Sequence, residues 1–361
     1  MTVSSKHANI ALFIPHNGCP HQCAFCNQRT ISGAAEQPTA DDVRAAVHTA
    51  LTSPKFDGAS AEIAFFGGSF TAIERGYLLE LLRAAHEFVK NGAVAGIRIS
   101  TRPDAIDREI LDILKQYGVT AIELGAQSMR DEVLSKNRRG HTARDVVNAS
   151  RLIRQYGFSL GLQMMTGLYG DDDAGARDTA RRLAALQPDT MRIYPTVVLE
   201  GTELAEKMRA GEYQPQNYEA AAALCAELLE FFEDKGIKVI KLGLHASDGV
   251  EGQRVGGAYH PAFRELCEGI LYQQKIRRIL TAQYPSGGDF LVYVDKHEVS
   301  KASGQKKCNV LKLAQEGYHI QIKGVDFAHE TEQANERRFC QIEPLYQPDF
   351  AAQPRRGRDS N

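Results

Sequence analysis

Six short apolar runs recur along the first two thirds of this chain, at residues 10–14, 63–66, 97–100, 121–124, 160–164 and 191–194. The stretches between them have helical spacing, clearest where Leu78, Leu81, Leu82, Ala85 and Val89 fall on one face. Apolar strands alternating with amphipathic helices are the sequence form of βα units, because a parallel sheet must be covered on its faces. Six such units, joined by loops that open on Gly or polar residues, predict an α/β fold: a sheet curved into a partial (β/α)6 barrel rather than laid flat. In such barrels chemistry gathers at the C-terminal ends of the strands. Residues 19–26, 67–71, 101–104 and 127–128 all fall on that rim.

After Pro195 the alternation changes. A helical stretch at 218–233 leads to residues 238–242 and then to a Gly-rich passage at 249–257, near which a boundary is expected, giving a barrel domain at 1–245 and a smaller α+β domain at 246–361. The second domain reads as a helix around 263–280, a strand at 290–294, a helix near 310–315 and a strand at 319–322. The polar tail after about 350 is expected to be disordered. A chain of 361 residues, 43% of them hydrophobic, can bury a core without disulfide staples.

Lys plus Arg number 43 against 45 Asp plus Glu, so no global field draws the protein to nucleic acid or an anionic membrane. No window approaches the roughly 20 apolar residues of a membrane helix, and nothing reads as a signal peptide. Seven cysteines are an odd number, and Cys19, Cys23 and Cys26 crowd into one loop while Cys225, Cys267, Cys308 and Cys340 are scattered. That is metal-site usage in a reducing compartment, which predicts a cytoplasmic protein without a membrane partner.

Three thiolates in a loop of small and polar residues can converge on one centre. A closed zinc site needs four ligands, and only His16 or His21 is near enough in sequence to complete this one. Ordinary four-iron electron carriers use four cysteines, so three leave one iron open to another ligand. The stretch Cys19-Pro20-His21-Gln22-Cys23-Ala24-Phe25-Cys26 resembles the C-x3-C-x-aromatic-C signature of the radical SAM superfamily. Further along, Gly67-Gly68-Ser69-Phe70-Thr71, Ser100 to Asp104, Glu123 to Ser128, Asn137 to Thr142, Met164 to Leu168 and Arg192 to Thr196 resemble, in order, the radical SAM domain of the Elp3 family, the catalytic subunit of Elongator. The likeness runs from about Ile10 to about Leu242.

The resemblance implies a [4Fe-4S] cluster on Cys19, Cys23 and Cys26. It implies S-adenosylmethionine with its adenine against Phe25, its methionine end at Gly67, Gly68 and Ser69, and further contacts from Thr101, Gln127 and Gln163. Read from the residues alone, Gln127 and Gln163 equally satisfy buried backbone groups, Arg102 with Asp104 forms a local ion pair, and His141 caps the helix after it. By resemblance the chain is a radical SAM enzyme that reductively cleaves S-adenosylmethionine to a 5′-deoxyadenosyl radical for hydrogen abstraction, with a flavodoxin- or ferredoxin-like reductant. Its substrate would be a tRNA base or, alternatively, a small molecule; a zinc-binding interaction module is the reading from another class. No catalytic residue is assigned.

The chain departs from the Elp3 pattern in three respects. Nothing from Val250 onward reads as an acetyl-CoA-binding loop, only 18 residues precede Cys19 where the family has a basic extension, and Arg192 stands where a lysine is usual. Acetyl transfer is therefore not carried over. A lysine-rich stretch, Lys296, Lys301, Lys306 and Lys307 around Gly304, lies between two strand-like segments and reads either as a phosphate- or RNA-binding loop or as a solvated one.

Overall fold

The computed structural model describes residues 7–20, 22–33, 36–245, 247–326 and 340–345. The expected disordered tail after 350 and His21 lie outside the described residues. The chain divides into two compact units, Met1–Arg264 and Glu265–Asn361.

In the first unit β1 (Ala8–Ile14), β2 (Ala61–Gly67), β3 (Gly96–Thr101), β4 (Val119–Gln127), β5 (Ser159–Thr166) and β6 (Thr190–Pro195) contain the six apolar runs. Two short strands, β7 (Val197–Leu199) and β9 (Arg254–Gly257), flank β8 (Lys238–Leu242) in sequence. The main sheet has the order β1-β2-β3-β4-β5-β6-β8 with every neighbour parallel, a half-barrel of seven strands rather than six. The Gly-rich passage near which the sequence places a boundary instead continues the first unit. Its β9 pairs antiparallel with β7, so the division falls at Arg264.

Period-2 alternation sorts the two faces of this sheet. On β4, Ile122, Leu124 and Ala126 are fully buried under helices, while Glu123, Gly125 and Gln127 face a cavity on the concave side. The helix Arg75–Lys90 buries Leu78, Leu81, Leu82, Ala85 and Phe88 along one stripe, each large apolar side chain contributing about 1.5–3 kcal/mol. Helix starts are set by local side chains: Thr39 with Asp42 and Thr142 with Asp145 form capping boxes, and Asp107 caps the helix Arg108–Gln116. Because all seven strands run the same way, their C-terminal ends share one rim, and the cysteine loop follows β1 there.

In the second unit β10 (Gly288–Asp295) pairs in parallel with β11 (Tyr318–Val325) and antiparallel with β12 (Gln341–Pro344). A parallel pair needs a crossover, supplied by the helices Val299–Ser303 and Cys308–Gln315. Ile276, Leu280, Phe290, Val292, Val294 and Leu313 form its core. The lysine stretch lies between β10 and β11 as expected, but it is not one loop: Lys301 is in the helix Val299–Ser303, and Lys306 and Lys307 are in the turn after it. Lys301 pairs with Glu268 and Glu298 and Lys296 with Asp326, whereas Lys306 and Lys307 are exposed, with φ of 51° and 61°.

Candidate active site

The concave face of the first unit holds a cavity of about 530 Å³. Cys19, Phe25, Cys26, Gly67, Gly68, Thr101, Gln127 and Gln163 all line it, so most of the residues picked out from the sequence meet at one place. Cys23 and Ser69 are buried just behind the wall, 6% and 0% exposed.

The cysteine loop is held by the chain itself. His16 and Gln28 clasp each other: the His16 N–H donates to Gln28 Oε1 at 2.5 Å and the Gln28 N–H donates to His16 Nε2 at 2.9 Å. Gln28 Nε2 then donates to the Gly67 carbonyl at 2.9 Å. His16, one of two residues that could have completed a zinc site, is therefore occupied by the backbone. The Ala24 N–H donates to the Asn137 carbonyl at 3.1 Å, the Cys26 N–H to the Cys23 carbonyl at 3.0 Å, and the Ala24 carbonyl accepts from the Leu204 N–H at 2.8 Å.

Burial pushes the Cys26 thiol up to about 12 and raises Cys19, and in both cases the neighbouring cysteines add to the rise. Cys26 thus feels the charge of Cys23 and Cys19, and Cys19 that of Cys23. Among the described residues, however, no three His, Cys, Asp or Glu side chains converge as they would on a single ion. That donor set fits a multi-iron cluster, in which each thiolate binds a different iron, better than it fits one zinc ion. Arg139, singled out only as part of a motif, supplies the local counter-charge: its Nη1 donates to Cys23 Sγ at 3.1 Å and its Nη2 to the Gly125 carbonyl at 2.7 Å.

The glycine pair acts on the protein's own backbone. A Cβ on Gly68 would lie 2.0 Å from the Asn17 carbonyl oxygen, and one on Gly67, at φ +108°, would lie 2.8 Å from that of Ile14. Those carbonyls accept the Ser69 and Gly68 N–H groups at 2.9 and 2.7 Å, so the pair fastens the start of the cysteine loop to the end of β2. Behind it, Ser69 Oγ and Thr71 Oγ1 lie 2.9 and 2.6 Å from Thr101 Oγ1, joining the ends of β2 and β3.

Gln163 Nε2 donates to Gln127 Oε1 at 3.2 Å, so the two amides serve each other rather than backbone groups, and Gln127 sits at φ 65° where the β4–β5 register shifts. Arg102 chelates Asp104 through two bonds of 3.0 and 2.7 Å. His141 does not cap the next helix, since Thr142 does so; its Nε2 lies 3.2 Å from the Ala126 carbonyl and burial lowers its pKa to about 4.

A row of charges the sequence reading passed over crosses the concave face. Arg98 bonds Glu62 at 2.8 Å and Glu123 at 3.1 Å, and Arg192 bonds Glu123 at 2.8 Å while lying 4.9 Å above the Phe66 ring. Gly161 makes room for this, since a Cβ there would lie 2.8 Å from Glu123 Cγ. The signal was in the sequence: β2, β3, β4, β6 and β8 each place a charge within an otherwise apolar run.

Residues 13–183 match the Radical SAM superfamily and residues 188–273 the Radical_SAM C-terminal domain. A tRNA uridine(34) acetyltransferase of Methanocaldococcus jannaschii is 33% identical over 146 residues, which is 40% of this chain and 27% of that protein. An uncharacterized protein of the same archaeon is 30% identical over 226 residues, 59% of this chain and 68% of the other. Elongator complex protein 3 of Danio rerio is 30% identical over 191 residues, 46% of this chain and 34% of its own length. The chain thus spans between about a quarter and two thirds of these relatives. A solved structure of Methanocaldococcus infernus Elp3 with an N-terminal deletion superposes with a TM-score of 0.62 over 76% of this chain and 64% of that one, at 21% identity, which shows a shared fold. No helix among the described residues is long and apolar enough to cross a membrane. With a three-cysteine loop at the rim of a parallel half-barrel, two successive domain matches and a relative aligned along most of its length, this chain belongs to the radical SAM superfamily and is an enzyme of that class.

Proposed function

We propose that this enzyme cleaves S-adenosylmethionine reductively at a [4Fe-4S] cluster held by Cys19, Cys23 and Cys26, and uses the product to take hydrogen from a substrate, an RNA base foremost. The observation that carries the reading is the cysteine loop: Cys19, Cys23 and Cys26, fixed by backbone bonds, beside a cavity lined by Phe25, Gly67, Gly68, Thr101, Gln127 and Gln163. When bound, the cluster and S-adenosylmethionine supply a 5′-deoxyadenosyl radical, after one electron from a flavodoxin- or ferredoxin-like donor.

The chain's own residues then have separate tasks. Arg139 places a positive charge and a hydrogen-bond donor on Cys23 Sγ. The Gly67–Gly68 clasp fixes the loop against β2, and Gln127 with Gln163 presents a polar floor for a ligand's hydrogen-bonding groups. Phe25, packed with Val133, Met165 and Leu168, offers an apolar face and screens that side of the cavity from water. RNA leads as substrate because the tRNA uridine(34) acetyltransferase and Elongator relatives share the barrel sequence. Lys306 and Lys307 also stand exposed in the turn after Gly304, where their charges are open to a phosphate backbone.

Anaerobic reconstitution with iron and sulfide tests the proposal. The wild type should take up about four irons per chain and form 5′-deoxyadenosine from S-adenosylmethionine under a strong reductant. The variant with Cys19, Cys23 and Cys26 all replaced by Ala should do neither. One zinc per chain with no iron uptake would defeat it.

A further inference from the structure

The charges on the concave face alternate in sign from strand to strand until the last step. Glu62 on β2 binds Arg98 on β3, Arg98 binds Glu123 on β4, and Glu123 takes two contacts from Arg192 on β6, at 2.8 Å from Nη2 and 2.6 Å from Nε. Two carboxylates and two guanidiniums cancel within this row. On the next strand, β8, the residue in register with Arg192 is another cation, Lys241, which lines the cavity and is half-buried. Among the described residues it has no hydrogen-bond or carboxylate partner. The charges that act on it are Arg192 and Arg264, both of its own sign, and burial together with them lowers its pKa. Burial lowers the pKa of His245, also on the cavity wall, and the charge of Lys241 adds to the fall.

Burying part of a cation beside Arg192 and Arg264 costs free energy, which an incoming negative group would offset. We infer that Lys241 is the recognition point for an anionic oxygen group of the substrate, a phosphate or a carboxylate, bound in the cavity at the β8 end of the sheet. The inference rests on the reading of this cavity as the substrate site. Arg192 is not available for that role, because Glu123 and the Phe66 ring already hold it. The bound anion would restore a negative charge next to two successive cations, through a charge-assisted hydrogen bond. A nucleotide phosphate and the carboxylate of a small acid have this chemistry in common.

Competitive labelling of the intact, cluster-loaded protein with limiting acetic anhydride, read lysine by lysine by peptide mass spectrometry, tests it without relying on turnover. The probes are inorganic phosphate, acetate and S-adenosylmethionine, and exposed Lys306 is the internal reference. Phosphate or acetate, at about twice its dissociation constant, should slow labelling of Lys241 about threefold relative to Lys306, and should do so with S-adenosylmethionine already bound. Protection by phosphate alone names a phosphate-bearing substrate, and by acetate alone a carboxylate. If neither anion protects Lys241, or if S-adenosylmethionine alone protects it fully and leaves the anions no further effect, the inference is overturned. Binding of S-adenosylmethionine is measured on the same sample: its absence counts against the proposed reaction, whereas failed protection in a sample that binds it counts against Lys241 only.

Discussion

Replacing Gly68 with Ala adds one methyl group at the tightest point of the cysteine loop. The new Cβ would stand 2.0 Å from the Asn17 carbonyl oxygen and 2.9 Å from that of Ile14. Tolerable contacts begin near 3.0 Å, so Asn17 must retreat by about 1 Å. Asn17 cannot do so and still accept the Ser69 N–H, now at 2.9 Å. Overpacking of this kind costs about 1–3 kcal/mol and the lost hydrogen bond about 1 kcal/mol more, so Gly68→Ala should destabilise the first unit by about 2–4 kcal/mol. For a unit of this size that is a fall in Tm of roughly 5–15 °C. Because Asn17 is two residues before Cys19, iron uptake should fall as well. Gly252→Ala is the control: it lies in the helix Asp248–Gln253 with nothing within 4 Å of its Cβ position, so Ala there should be neutral or stabilising by up to about 1 kcal/mol. Thermal unfolding and iron analysis of both variants decide the matter. A Gly68→Ala protein with unchanged Tm and full iron content would refute the idea that the glycines fasten the loop.

Other outcomes follow from the same geometry. Glu123→Gln removes the acid between two arginines and should cost about 3–5 kcal/mol, as broken buried ion pairs do, measured as a drop in the urea midpoint; an unchanged midpoint would mean the row of charges contributes nothing to stability. His141 is held neutral, with a pKa of about 4 against 6.5 in the unfolded chain. Its contribution is therefore present above pH 6.5 and is lost as pH falls toward 4, up to about 3 kcal/mol in all. His141→Gln should flatten that part of the stability profile, seen in denaturant titrations between pH 7 and 4.5. Replacing Lys306 and Lys307 together with Ala should weaken tRNA binding and reduce its logarithmic salt slope by about 2, while leaving S-adenosylmethionine cleavage intact; a slope equal to wild type would detach these lysines from RNA.

The strands of the first unit were legible because each is a short apolar run buried on a fully covered sheet, and β1 to β6 extend those runs by only a few residues. The cysteine loop was legible because its three thiols are close in sequence. Other features depend on register, which a single sequence does not contain. Glu62, Arg98, Glu123, Arg192 and Lys241 lie on five strands, and only their alignment across the sheet turns five isolated charges into one row. The glycine pair was found by motif, but its steric partner is Asn17, some fifty positions earlier, and no local pattern links them. Ser69 reads as a ligand contact by its place beside the glycines, yet it is fully buried and bonded to Thr101, because the chain turns into a short 3-10 helix at Phe70–Ala72 that carries it behind the wall. In the second unit the helix at Cys308–Gln315 was legible, but the short helix Val299–Ser303 escaped notice, because Lys306 and Lys307 between the two take left-handed backbone that no helical spacing signals.

His16, Gln28, Ala24 and Asn17 hold the cysteine loop through bonds that involve no metal. In a zinc finger the metal organises the chain, and removing it unfolds the domain. Here the chain's own bonds fix the loop, so its shape does not depend on the proposed cluster. Loss of the proposed cluster to oxygen would then erase activity without erasing structure, and the emptied protein would be a repairable part that keeps the form needed for refilling.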